Sequence, residues 1–251
     1  MLKSDLHIHT LMSGHAFNTF DECVKTAEKK GISLIAITDH GPAMEHSAHE
    51  GYFEMALRLP KNINGVNVLF GCETNILDCR GNIDISENTL LGLDIVLAGL
   101  HKRTSFFSSG EADNTKAIIN AMKKHPEINI ITHPYRYDFP ISVRDVVQAA
   151  VEYNVILEVN ASVFVKSFKN KARSEAIWEI DKTAEMISYL NSLGIGYVIN
   201  SDAHCTYEIG ISDELYSLME AKLGIKKEYV LNDRIDMLKG YIPSINGIIV
   251  K

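Results

Sequence analysis

The sequence has no CxxC pair, no GxGxxG, no Walker-type phosphate loop and no apolar run near the ~18 residues of a membrane span. Each absence narrows the chemistry. Four cysteines (Cys23, Cys72, Cys79 and Cys205) without paired spacing give no sign of a disulfide framework and read as reduced cytosolic thiols. The missing nucleotide fingerprints leave a doubly wound dinucleotide-binding fold with little support. No basic block offsets the formal charge of −7, which argues against a stable duplex-binding surface. A small anionic substrate stays compatible, because bound cations would supply local positive charge. Met1–Ser4 shows no signal-peptide pattern, so the chain is expected to be cytoplasmic and not membrane-bound.

Apolar periodicity is plentiful. The 251 residues are 46% hydrophobic, enough for a sizeable core, and are expected to form one domain over residues 1–251. Seven β-like runs stand out: Leu6–His9, Leu34–Thr38, Val66–Cys72, Ile95–Leu100, Ile128–Thr132, Val155–Asn160 and Gly196–Asn200. Most are continuously apolar, as parallel strands covered on both faces are. Helical patterns separate them at Phe20–Lys30, Thr115–Lys124, Val143–Tyr153, Ile180–Leu193, Ser212–Leu223 and Asn232–Lys239. His40–Lys61 and Lys102–Asn114 are the longest irregular stretches and candidate lids. Phe164, Phe168 and Trp178 suggest a further loop packed after the sixth strand.

Histidine is the informative excess. Of ten, only His46, His49 and His125 lie outside motifs that close β-like runs. The motifs are Asp5-Leu6-His7-Ile8-His9, the separate His15, Thr38-Asp39-His40, Gly71-Cys72-Glu73, Gly99-Leu100-His101, Thr132-His133-Pro134 and Ser201-Asp202-Ala203-His204. His7 and His9 are two apart on a strand and share a face, as do Asp202 and His204. Asp5, on the same parity, is expected to orient an imidazole, and Cys72 to face away from the site. A carboxylate such as Glu73 after four apolar residues is costly to bury unless paired or ligating. Imidazoles and carboxylates at so many strand ends point to a metal site at the C-terminal mouth of a parallel α/β barrel, which gathers all strand ends around one opening. Arg136, Lys102 and Arg103 beside these motifs are candidate phosphate-binding cations. Asn160, sharing a strand face with Glu158, is a candidate substrate or water contact.

These motifs, over nearly the whole chain, resemble the polymerase and histidinol phosphatase (PHP) family of metallohydrolases, particularly its compact stand-alone bacterial phosphatases. The resemblance implies a distorted (β/α)7 barrel holding three divalent metal ions, zinc first, with manganese or iron as alternatives. It implies that His7, His9, Glu73 and Asp202 hold one metal. Glu73, bridging, would hold a second with His101 and His133, and His15, His40 and His204 would hold a third. Glu73, Asp202, His15 and His204 are then the candidate catalytic side chains. The expected activity is hydrolysis of a small-molecule phosphomonoester by a metal-bridging hydroxide. A phosphodiesterase or nuclease acting on nucleotides or short oligonucleotides, and an amidohydrolase-like enzyme, are the alternatives. The helical exterior of a barrel also allows a homo-oligomer.

Overall fold

The computed structural model describes residues 2–169 and 174–247, and the side chains of all of these but 166–169 and 247. Its strands are β1 (Ser4–Ile8), β2 (Leu34–Ile37), β3 (Asn62–Ile63), β4 (Val66–Asn75), β5 (Ile95–Gly99), β6 (Ile130–Ile131), β7 (Ile156–Asn160) and β8 (Val198–Asn200). All but β3 run parallel in the order β1-β2-β4-β5-β6-β7-β8, and β3 is a short antiparallel addition to β4. The seam between β8 and β1 closes just past the strand ends. Ile8 bridges Ala203, and His9 N–H donates to the Ala203 carbonyl at 2.9 Å. The expected seven-stranded parallel barrel is therefore present, nearly closed.

The helices are α1 (Phe20–Lys30), α2 (Glu50–Phe53), α3 (Glu87–Leu90), α4 (Glu111–Lys124), α5 (Val143–Glu152), α6 (Ser162–Lys169), α7 (Ser174–Leu193), α8 (Asp213–Leu223) and α9 (Ile235–Leu238). Local chemistry sets the bounds of α1. Thr19 and Glu22 form a reciprocal capping box, and Gly31 takes the left-handed conformation at φ 70° that ends the helix. This fixes where the loop carrying His15 must stop. Helices α4 and α7 begin earlier than their apolar periods suggest. Their first turns carry Glu111, Asp113 and Glu175, which suit a helix N-terminus but add nothing to an apolar stripe. Residues 162–169 and 174–193 after β7 are helical rather than a loop. Phe164 is buried on α6, Trp178 on α7 meets Tyr137 edge-on at 5.8 Å, and the Phe168 side chain lies outside the described residues.

Strand alternation divides the core in two. Leu34, Leu69, Leu97, Ile130 and Val198 fill the barrel interior, whereas Ile35, Val68, Val96, Ile131 and Ile199 pack against the helices. Cys72 belongs to that outer layer, as its strand parity requires. Each fully buried Leu or Ile contributes roughly 1.5–3 kcal/mol. The expected helix over Asn232–Lys239 is broken. A 3-10 turn at Leu231–Asp233 and the short α9 replace it, because Leu231, Ile235, Leu238 and Ile242 plug the barrel floor. Buried Asn232 sews this plug to β1 and β8, donating to the Ser4 and Ile199 carbonyls and accepting from Ile199 N–H. With the floor sealed, the interior opens at the C-terminal strand ends. Among the described residues, no helix is long and apolar enough to cross a membrane.

Candidate metal centre

Every strand but β3 delivers a polar side chain to the open end. His7 comes from β1 and His9 follows it, His40 follows β2, and Glu73 lies near the end of β4. His101 follows β5, His133 follows β6, Glu158 and Asn160 end β7, and Asp202 and His204 follow β8. Strand β4 runs three residues past the expected end, so Glu73 sits within the sheet. There it bridges His40, and Glu73 N–H donates to the Asp39 carbonyl.

Glu73 is the hub, fully buried. Its Oε1 accepts from Thr132 Oγ1 at 2.8 Å and lies 3.0 Å from His101 Nε2 and 2.8 Å from His133 Nε2. Its Oε2 points the other way, 3.3 Å from His7 Nε2 and 3.5 Å from His9 Nε2. Oε2 also lies 2.8 Å from His40 Nδ1, yet neither atom has a hydrogen-bond partner. Such a buried, orphaned carboxylate oxygen facing nitrogen lone pairs is costly unless a cation sits among them.

The spacing fits that reading. His7 Nε2 and His9 Nε2 are 3.0 Å apart, and Asp202 Oδ1 lies 3.6 and 3.2 Å from them. Ligands at about 2.0–2.1 Å in a tetrahedral set are separated by about 3.3–3.4 Å. The donor atoms of His7, His9 and Asp202 all lie within 4.8 Å of one another. So do those of His40, Glu73 and His101, and those of His9, His40 and His204. His15 is the outermost of the expected ligands. It is exposed and stacks on His40 and His204 at ring separations of 5.0 and 4.9 Å.

The far nitrogens explain why the near ones converge. His7 Nδ1 pairs with Glu158 Oε1 at 2.8 Å, and Glu158 also accepts from Asn200 Nδ2 and from His133 N–H. His9 Nδ1 pairs with Ser13 Oγ at 2.9 Å, and Ser13 donates onward to Asp39 at 2.6 Å. His204 Nδ1 pairs with the Asp202 carbonyl. Each contact leaves Nε2 free to ligate. Asp5, expected in this role, does not perform it. Its carboxylate accepts from Ser201 Oγ, Ser201 N–H and Gly210 N–H. The β1–β2 register shifts between Asp5 and Ile8, so strict alternation does not carry from His7 back to Asp5. Sequence reasoning missed Ser13 and Asp39, and it placed Glu158 on the right face without its role. The clue for Glu158 was a carboxylate inside the apolar run Leu157–Val159.

Backbone shape also serves the site. His133 and Asp202 hold φ values of 28° and 53°, strained for non-glycine residues. Gly99 makes room. A Cβ there would lie 2.5 Å from Thr132 Oγ1 and 3.0–3.1 Å from the His133 and His101 rings. A third missed residue, Asp84, reaches in from the β4–β5 connection. It accepts from Thr74 Oγ1, Asn75 N–H, Asn75 Nδ2 and Ala43 N–H, clamping the segments just past Glu73 and His40 together. A Cβ on Gly41 would sit 2.4 Å from that carboxylate.

Burial and charge tune the ring. Burial pushes the Glu73 and Asp202 carboxyls up. The imidazoles of His101, His7, His40 and His133 around Glu73 outweigh it, as do His7 and His9 around Asp202, and both carboxyls are held well below the usual range. Burial pushes His7 down, but Glu158, Glu73 and Asp202 outweigh it and hold its pKa well above the ordinary value. Burial and His40 hold His9 low. Burial and Arg136 take His133 to about 4, and burial with His40 and His204 takes His15 to about 4. His9, His15 and His133 therefore carry free lone pairs at neutral pH.

Above the ring lies a cavity of about 440 Å³. Arg136, Lys102 and Arg103 line it. Arg136 Nη2 reaches Asp202 Oδ2 at 3.4 Å, and Lys102 pairs with Asp138 at 2.6 Å. Asn160 approaches from behind the ring. Its Nδ2 donates to Asp202 Oδ2 and Glu158 Oε2, and its Oδ1 accepts from Ser162 N–H. His46 and His49 are exposed, away from the ring, and His125 ends α4.

A model described as "PHP domain" matches residues 5–162. A protein described as a probable phosphatase from Thermoanaerobacter sp. (strain X514) is 40% identical over 241 residues, covering 96% of this chain and 94% of its own. Another so described, from Proteus mirabilis (strain HI4320), is 37% identical, covering 92% and 90%. Among solved structures, the chain is similar to a histidinol phosphate phosphatase from Lactococcus lactis, complexed with zinc, L-histidinol and phosphate. The TM-score is 0.59 at 15% identity, covering 89% of this chain and 94% of that one. A likeness that distant concerns the fold.

Proposed function

The chain belongs to the PHP family, and from that premise we propose that it is a metal-dependent phosphatase releasing phosphate from a small-molecule phosphomonoester. The observation that carries this is the division of the Glu73 carboxylate, with Oε1 toward His101 and His133 and Oε2 toward His7, His9 and His40. One bridging carboxylate between two imidazole groups is the donor set of paired divalent cations, spaced to act on one phosphoryl group. We assign one cation to His7, His9, Glu73 and Asp202, a second to Glu73, His101 and His133, and a third to His15, His40 and His204. Zinc suits the nitrogen-rich set, with manganese or iron as alternatives. Residues 1–251 are taken as one catalytic unit, because Asp202 and His204 lie beyond the matched residues 5–162.

Bound cations would supply a water of lowered pKa and positive charge for the phosphoryl oxygens. The chain's own residues do the rest. Glu158 keeps a proton on His7 Nδ1 and so turns Nε2 inward. Ser13 and Asp39 do the same for His9. Arg136, tethered to Asp202, offers its remaining guanidinium N–H groups to a phosphoryl oxygen. A cavity of about 440 Å³ suits a small ester better than a polymer.

The test joins elemental analysis of the purified protein with phosphate release before and after chelation. Chelation is expected to abolish turnover and zinc or manganese to restore it. Phosphomonoester turnover indifferent to chelator would overturn the reading. A phosphodiester and an amide run in parallel separate the nuclease and amidohydrolase alternatives.

A further inference from the structure

Ligands at the strand ends form the floor of the cavity, and residues further along the same connections form its wall. Part of that wall is apolar. Met44 stands four residues past His40, Phe139 six past His133, Val165 five past Asn160, and Ile211 and Leu215 seven and eleven past His204. All five line the cavity. They come from four separate connections, so together they enclose the exit from the floor.

Several polar side chains in the wall are already engaged, while Arg103 and Arg136 also line the cavity as cations for the phosphoryl end. Lys102 is paired with Asp138, Ser201 Oγ donates to Asp5, and Glu208 accepts from His204 N–H. Ser162 Oγ points to Asp202 at 3.4 Å. A phosphoryl group on the floor would direct its ester oxygen, and whatever that oxygen carries, outward past these apolar side chains. A polyol entering there would give up hydrogen bonds to water and find few replacements, whereas an apolar group loses nothing and gains buried area.

We propose that this enzyme selects phosphomonoesters of apolar alcohols, with Leu215 and Val165 contacting the leaving group. The proposal rests on the phosphatase reading above and goes further by naming the class of leaving group. Leu215 and Val165 are the half-buried members of the wall, in the first turns of α8 and α6, whereas Met44, Phe139 and Ile211 are buried.

The test compares three esters of primary alcohols, benzyl phosphate, glycerol 3-phosphate and phosphoethanolamine, on the metal-loaded protein. Their leaving groups are chemically matched, so kcat/KM reports the wall. Benzyl phosphate is expected to be favoured roughly tenfold or more over each of the others, at least the scale of one methylene in an apolar pocket. Leu215→Asn is expected to narrow the benzyl-to-glycerol ratio at least fivefold. Being a ratio, it is untouched by any loss of folded protein. Equal or better turnover of the polyol or amino ester, or an unchanged ratio in Leu215→Asn, would overturn the proposal. Calorimetric binding of benzylphosphonate against 2-aminoethylphosphonate, neither of which can be hydrolysed as an ester, separates the two claims. A benzyl preference in binding without turnover of any ester keeps the wall assignment and sinks the phosphatase reading. Equal turnover of all three esters does the reverse.

Discussion

On the β1 side of Glu73, the imidazoles are braced from behind. His7 leans on Glu158, and His9 leans on Ser13 and, through it, on Asp39. On the β5–β6 side, the Nδ1 atoms of His101 and His133 are buried with no hydrogen-bond partner. Their rings are positioned instead by the space that Gly99 leaves and by the strained backbone of His133. One half of the cradle is thus pre-organised by a hydrogen-bonded surround. The other relies on Glu73 Oε1 and on what it binds. The difference teaches that a ring of similar residues need not hold its cations with equal strength. The β1 side is expected to fill first, and the β5–β6 side to exchange more readily.

The largest effect should come from removing what the halves share. Glu73→Ala is expected to abolish turnover and to lower metal content by more than one ion per chain, measured by elemental analysis on folded protein. Near-normal activity would mean that the two halves do not share this carboxylate. Acidification comes next and acts unequally. His7 has a raised pKa, so below it a proton competes for Nε2, costing the β1 side about tenfold in affinity per pH unit. His133, at about 4, adds such a loss only near that pH. Metal competition assays between pH 8 and 4 should show affinity falling as the medium becomes acid, and a flat profile down to pH 5 would contradict the assignment.

Glu158→Gln sharpens the comparison further. It should weaken β1-side binding roughly 10–100-fold, as loss of a group orienting a ligand does, and leave the β5–β6 side less affected. Equal losses on both sides would show that Glu158 acts through His133 N–H as much as through His7. The smallest effect is expected from Asp84→Ala, which touches no donor atom. Loosening the clamp between Gly41 and Asn75 should cost a few-fold in metal affinity, with the loss larger for Asp84→Ala than for Asp84→Glu. Unchanged titrations in both would make the clamp irrelevant to the site.

The parts legible in the sequence share one property, locality. Continuous runs such as Val68–Phe70 and Ile95–Ala98 are apolar because both of their faces are covered, and the residues that end them are polar because the mouth is open. His7, His40, Glu73, His101, His133, Asp202 and His204 could therefore be picked out by period and position alone. The helix starts at Glu111 and Ser174 were hidden because first-turn charges leave no apolar stripe. The broken helix at Leu231–Leu238 was hidden because its apolar residues answer to the barrel floor rather than to a flat neighbour.

By itself the sequence determined the seven parallel strands and the residue types crowding the mouth, though not the short antiparallel β3, since strand period and burial act over a few neighbours. Only the tertiary structure decided that Glu158 rather than Asp5 braces His7, that each oxygen of Glu73 faces a different group, and that Asp84 ties two connections together. Those outcomes depend on a register shift in β1 and on contacts such as His7 to Glu158, 151 residues apart. No local pattern carries information across that distance, because the hydrogen bonds exist only once the barrel has closed.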